Sequence, residues 1–193
     1  AIFGRNSERD LLRVVIPLEV LGGVLQAGGG ISRDEREKGY PRRFRNVPSA
    51  GAMYPLEMFI YVSCVEGLEI GLYYYDPNHV LKLVRPGVME EDLQECFMQK
   101  ELAVKSSAII FIAGFFQRST AKYGERGYRF ALIEAGHIAQ NLNLAGFAAG
   151  YASINLGGYL DARLDQLLGL DGLTQSVIYC VCLGGRSAEN QIN

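Results

Sequence analysis

Apolar positions along this chain alternate between helical spacing and short continuous runs, and that switching lays out its elements. Leu18, Leu21 and Leu25 recur on one face after Pro17, a residue suited to a first helical position, so the spacing predicts a helix over Ile16 to Gln26 that Gly28-Gly29-Gly30 stops. From Ile31 to Arg45 the pattern turns polar and basic, as in a surface loop. Glu57 to Val65 is β-branched and aromatic enough for a central strand, and Gly71 to Asp76 with Val80 to Val84 flank Pro77-Asn78 as a hairpin. Met89 to Phe97 reads as a short amphipathic helix and Ala108 to Phe116 as a buried strand. Tyr128 to Ala148 carries Phe130, Ile133, His137, Asn141 and Leu144 at helical spacing, with Ala131, Ala135, Ala139, Ala145 and Ala148 small enough to admit a neighbouring helix. It predicts a long central helix. Tyr151 to Leu156 is a strand, Asp161 an N-cap for Ala162 to Leu168, Gly169 its stop, and Ser176 to Leu183 the last strand. This order suggests an α+β fold, helices packed on a mixed sheet with antiparallel pairing.

At 193 residues and 49% hydrophobic, the chain suits one domain over residues 1–193. Net charge is −2, and only Arg42, Arg43 and Arg45 cluster, so no footprint for a nucleic-acid backbone is visible. Runs such as Ala108 to Phe116 are too short to cross a bilayer, and Ala1-Ile-Phe-Gly-Arg5 lacks the order of a signal peptide, which points to a cytoplasmic protein. Cys64, Cys96, Cys180 and Cys182 fall in core-like stretches; Cys180 and Cys182 would share one strand face at roughly 7 Å, too far for an unstrained bridge. With His79 and His137 the only histidines, no metal site is expected.

No phosphate-binding P-loop or dinucleotide glycine fingerprint is present, and no Ser-His-acid set can be assembled. Two clusters remain. Arg5-Asn6-Ser7-Glu8-Arg9 groups cations with short polar side chains that can hold a phosphate, although alone it reads more simply as a solvated tail. The stretch from Asn46 to Glu57 runs through small residues between Pro48 and Pro55, a stiff, low-bulk loop that either lets backbone approach a flat ligand or merely makes a tight connection.

Pro48-Ser-Ala-Gly-Ala-Met-Tyr-Pro-Leu-Glu57 resembles the Pro-Ser-Ala-Gly-x-x-Tyr-Pro-Leu-Glu signature of the SagB-type, thiazole/oxazole-forming (azoline-oxidising) dehydrogenase branch of the nitroreductase superfamily. Gly71-Leu-Tyr-Tyr-Tyr-Asp76, Lys122-Tyr123-Gly124 through Arg129, Glu134-Ala-Gly-His137 through Asn141, Asn155 to Tyr159 and Leu167 to Leu170 continue the likeness in order. The resemblance implies a nitroreductase-like fold, a mainly antiparallel sheet flanked by helices, and a homodimer with FMN at its interface. It implies hydride transfer through flavin N5, either reducing nitro or quinone acceptors with NAD(P)H as donor or oxidising peptide azolines. Arg5, Ser7 and Arg9 then correspond to the segment gripping the FMN phosphate and ring edge, with Asn6 replacing a usual second basic residue. Pro48, Ser49, Ala50, Gly51 and Met53 correspond to the loop lying on the isoalloxazine, commonly from the other subunit. Leu156, Gly157 and Gly158 correspond to the amides facing N5 and O4; Asn155 stands where proline is frequent, and Arg186 is placed to reach the phosphate. Lys122 and Tyr123 match a catalytic pair, an amine and a phenol that could take the proton leaving with the hydride. Otherwise they are a solvent-facing lysine and an interface tyrosine. The basic loop and the region around Phe115 to Tyr128 are the expected covers of the ring. The substitutions at Asn6 and Asn155 and the short tail keep open another class, a binding or structural dimer without catalysis.

Overall fold

Residue alternation along one strand shows how the chain layers itself. A computed structural model describes residues 1–40 and 43–187, so Arg42 of the predicted basic cluster lies outside the described residues. Strand β6 (Ala108–Phe115) sends Ala108, Ile110 and Ile112 into one core and Ile109 and Phe111 into the other. A strand covered on both faces must be apolar throughout, which explains its continuous run. The first core lies under helix α1 (Leu18–Gly29) and the long α5 (Arg126–Ala148); the second lies under α2 (Glu90–Cys96), α3 (Glu101–Lys105) and α6 (Asp161–Leu168).

The sheet between them has β3 (Leu56–Val62), β4 (Gly71–Asp76), β5 (Val80–Pro86), β6, β7 (Ala152–Leu156) and β8 (Gln175–Gly184) in the order β5-β4-β3-β6-β8-β7. Every neighbouring pair is antiparallel, with Ile60 opposite Ile110 and Ile110 opposite Val181 across its centre. The fold is α+β with helices flanking an antiparallel sheet. Short strands β1 (Ile31–Arg33) and β2 (Phe44–Arg45) pair antiparallel at the two ends of the stretch read as a surface loop, a small hairpin apart from the main sheet whose described residues are mostly exposed. Helix α4 (Gln117–Tyr123) joins β6 to α5. All four cysteines are free. Cys180 and Cys182 share the second core as expected, and burial pushes the Cys182 thiol up to about 12. Among the described residues no helix is long and apolar enough to cross a membrane, and no group of metal-binding side chains gathers.

Two expectations are corrected. The helix does not stop at Gly28: α1 includes Gly28 and Gly29, and Gly30 caps it. A Cβ on Gly28 would stand 2.5 Å from Leu142 Cδ2, and one on Gly29 2.9 Å from Met58 Cε, so these glycines let α1 lie close on α5 and the sheet. On α5 the core face is Ala131, Ala135, Ile138, Ala139 and Leu142, while Ile133 is half exposed and His137 is exposed. Of the larger stripe, Phe130, Asn141 and Leu144 are half-buried, and Asn141 Nδ2 donates to the Ala27 carbonyl of α1 at 3.0 Å. Leu18 is exposed, and α1 buries Leu21 and Leu25 instead. Small boundary shifts complete the comparison: Pro17 sits at the N-cap of α1, and Leu160 rather than Asp161 caps α6.

Candidate functional site

The loop from Pro48 to Tyr54 is shaped by backbone that side chains rarely adopt. Gly51 has φ +58°, and the non-glycine residues Ala52 and Tyr54 also lie in the left-handed region at +52° and +46°. Each of the latter costs on the order of 1 kcal/mol, and such strain persists only where surroundings enforce it. Here the Tyr54 amide donates to Ser49 Oγ at 2.9 Å, its ring is buried, and its hydroxyl accepts the Arg45 amide at 3.0 Å. The strained turn is thereby clamped between β2 and the start of β3.

That clamp walls a cavity of about 690 Å³, within the range of small-molecule sites. Pro48, Ser49 and Gly51 line one side, the hairpin contributes Arg33, Tyr40 and Phe44, and Lys122 reaches in from α4. Both regions expected to cover the site, the basic stretch and the α4 region, thus border the same space. At Gly51 a Cβ would strike Tyr123 Oη and stand 2.6 Å from Lys122 Nζ. The Lys122 ammonium lies 5.3 Å from the Tyr123 ring centroid, and that ring packs edge-on against Phe130. Loop and pair are therefore in direct contact. Met53 lies instead on a neighbouring hollow, and Ala50 lines neither.

Buried charge supports this wall. Glu57, 5% exposed at the second position of β3, accepts from Arg118 Nη1 and from the Tyr74 hydroxyl at 3.0 Å, with Arg45 Nη2 at 3.8 Å. Burial, reinforced by the Glu57 charge, pushes the Tyr74 phenol up to about 12. Glu134 on α5 is 2% exposed and its Oε1 has no hydrogen-bond partner. Burial raises its carboxyl to about 7, opposed by a Ser49 hydrogen bond and the Arg45 charge and assisted by Glu57. Sequence reasoning missed Glu134 as a site residue; the available signal was an acidic side chain on the face shared with Ala131, Ala135 and Ile138.

The remaining predicted residues collect elsewhere. The Glu8 amide donates to the Ser153 carbonyl at 3.1 Å, which lays the segment holding Arg5, Asn6, Ser7 and Arg9 beside edge strand β7. Leu12 bridges Gly185, and Arg186 next to it stacks 4.3 Å over the Phe147 ring, against which Gly4 also lies. Leu156 is buried at the end of β7, and Gly157 and Gly158 follow it in the open, where a Cβ would meet only ordinary contacts within this chain. Asn155 is tied into the fold, accepting from Asn143 Nδ2 at 2.9 Å. The Arg186 and Gly4 end stands far from the loop along α5: Ser49 touches Glu134, whereas Phe147 lies about 20 Å further along the axis at the helical rise, and Gly157 sits apart from both at the far end of β7 beside Tyr179. One chain does not bring them together.

The nitroreductase family model matches residues 2–185. The nitroreductase-family protein MJ1384 of Methanocaldococcus jannaschii is 32% identical over 166 residues, 85% of this chain and 80% of that protein. The microcin B17-processing protein McbC of Escherichia coli is 29% identical over 138 residues, 67% of this chain, and the match spans half of McbC's own length. Among solved structures, the E. coli microcin synthetase McbBCD complex matches with a TM-score of 0.79 at 23% identity, over 95% of this chain and 70% of that one. The NADPH:FMN oxidoreductase of Vibrio harveyi complexed with NAD+ matches with a TM-score of 0.64 at 16% identity, over 96% and 67% of the two chains. At these identities the two structures establish a shared fold. With nearly its whole length matched by the family model, the chain belongs to the nitroreductase family.

Proposed function

We propose that this chain is an FMN-dependent oxidoreductase of the SagB-type branch, a single nitroreductase-like domain that works as a homodimer. The contact of Gly51 with Lys122 and Tyr123 carries the reading, because it sets a proton-bearing pair against a loop whose backbone is bare enough to lie on a flat ring. Family membership and likeness to an NADPH:FMN oxidoreductase support it. The residues fit the cofactor: a cavity of about 690 Å³ combines small loop residues with aromatic and cationic side chains, and a second, arginine-bearing edge ends in two open glycines. When bound, FMN supplies hydride acceptance and donation at its N5.

Pro48, Ser49, Ala50, Gly51 and Met53 of one subunit would hold the ring, and Arg5, Asn6, Ser7, Arg9 and Arg186 of the other its phosphate. Leu156, Gly157 and Gly158 would present main-chain amides to its polar edge. Pairing of copies is supported by the separation of these groups in one chain and by exposed Tyr128, Leu132 and Ile133 along α5. Lys122 Nζ and Tyr123 Oη would hold or release the proton of the reaction at the cavity wall, and the hairpin would exclude water from it. The acceptor is a nitro or quinone compound with NAD(P)H as donor, or the substrate is a peptide azoline. The likeness to a microcin-processing protein supports the second version.

The test is a visible spectrum and ligand extraction on purified protein, with mass determination in solution and anaerobic titration by NADPH, NADH and an azoline peptide. A yellow dimer whose colour bleaches with one of these is expected. Colourless monomer that takes up no added FMN would overturn the reading.

A further inference from the structure

Beside the cavity lies a second hollow of about 450 Å³ whose walls include Arg36, Arg43, Arg45 and Arg118. These four guanidiniums come from three places: two from the β1–β2 hairpin region, one from β2, one from α4. Their carboxylate partners are two. Asp34 is shared by Arg36, at 2.7 Å to Nη2, and Arg43, at 2.9 Å to Nε. Glu57 is shared by Arg118 and Arg45. Among the described residues, four guanidiniums around this hollow are therefore in ion-pair contact with only two carboxylates. The Arg36 guanidinium holds the Asp34 carboxyl well below the usual carboxylate range, so Asp34 stays ionised and paired while the further donors of Arg36 and Arg43 still face the hollow.

Donor chemistry points the same way. Two guanidiniums bring about five N–H donors each against roughly four acceptor sites on one carboxylate, so each pair has donors to spare. Planar forks of this kind bind phosphate bidentately. We propose that this hollow is a binding site for a compact dianion, a phosphate monoester group. Arg45, Ala52 and Tyr54 wall both the hollow and the larger cavity, so a molecule anchored here by its phosphate extends into the space between Gly51 and the hairpin. The phosphate is thus a specificity handle for whichever reactant enters. Only that last step rests on the oxidoreductase reading; binding of the dianion does not.

The experiment is calorimetric titration of the folded protein with inorganic phosphate at low salt, in wild type, in the double variant Arg36→Gln/Arg43→Gln, in Arg118→Gln and in Arg163→Gln. Arg163 pairs with Glu95 on α2 and serves as a remote control. Wild-type binding should weaken about tenfold in the double variant, a loss of about 1.4 kcal/mol, and stay unchanged in Arg163→Gln. Arg118→Gln should weaken it too, which keeps the test open if the double variant unfolds. Absent wild-type binding, or equal losses in Arg163→Gln, overturns the site. In active holoprotein, NADPH and NADH identify the source: a KM raised for NADPH alone puts the phosphate on the donor, and a KM raised only for a phosphorylated acceptor puts it on the substrate. Phosphate binding by an inactive protein would retain the site and reject the oxidoreductase reading instead.

Discussion

A Cβ placed on Gly51 would fall on the hydroxyl of Tyr123, seventy-odd residues away in the chain and one helix away in space. The left-handed φ of +58° at Gly51 adds a backbone reason for the same residue. Gly51→Ala therefore meets two obstacles, a conformational cost of about 1 kcal/mol and a clash that displaces Tyr123 and Lys122 from the loop. Turnover and FMN content of the purified variant should fall by about tenfold or more, while Tm drops only roughly 2–4 °C for each kcal/mol lost in a chain of this size. Normal flavin loading and turnover in Gly51→Ala would show that the contact has no part in the site.

Glu134 gives stability a pH dependence whose sign follows from its raised carboxyl. Below its ordinary value of 4.5 the group is protonated in both folded and unfolded chains, and its contribution is fully present. As pH rises to about 7 the unfolded chain ionises first and the contribution is lost. Wild type should lose on the order of 3 kcal/mol across that window relative to Glu134→Gln, at about 1.4 kcal/mol per pKa unit. Urea midpoints of both proteins between pH 4 and 8 measure the difference; parallel curves would remove the buried acid from the account.

Much of this arrangement was legible in the sequence where local pattern and tertiary need coincide. The run from Ala108 to Phe115 is apolar because both faces of β6 are covered, and the Pro48–Pro55 spacing announces a bare loop before β3. Gly28 and Gly29 mislead because a helix stop and a close approach call for the same residue; only the position of Leu142 and Met58 separates them. The stripe of Phe130, Ile133 and His137 misleads because helical spacing says that a face is distinctive, not that it faces this chain's own core. The charge network was hidden for a different reason. Arg118 and Glu57 are 61 residues apart, and nothing in either neighbourhood predicts that β3 and the start of α4 meet.

Arg118→Ala tests how far that pair supports the wall. Glu57 would stay buried with the Tyr74 hydroxyl and the more distant Arg45 as its remaining partners. Leaving a buried carboxylate short of a partner costs about 1–3 kcal/mol, visible as a lower urea midpoint at unchanged slope. Adding Glu57→Gln should recover part of the loss, because the unpaired charge goes with it. Strictly additive single and double variants would mean that the two side chains do not interact.

Two glycines of one helix should respond to the same substitution with opposite signs. Gly23 lies exposed within α1 and a Cβ there has nothing within 4 Å, so Gly23→Ala should gain roughly 0.5–1 kcal/mol from helix propensity. Gly28 lies in the same helix, but its Cβ would press on Leu142 Cδ2 and Cγ at 2.5 and 2.9 Å, and Met58 Sδ closes the third side at 3.4 Å. Leu142 belongs to the core face of α5 and has no open space into which to turn, so Gly28→Ala should cost about 1–3 kcal/mol through overpacking. Thermal unfolding of the two variants side by side reads the contrast. If both are stabilised, the glycines end or loosen the helix as the sequence pattern alone suggests, and the close seating of α1 on α5 is wrong.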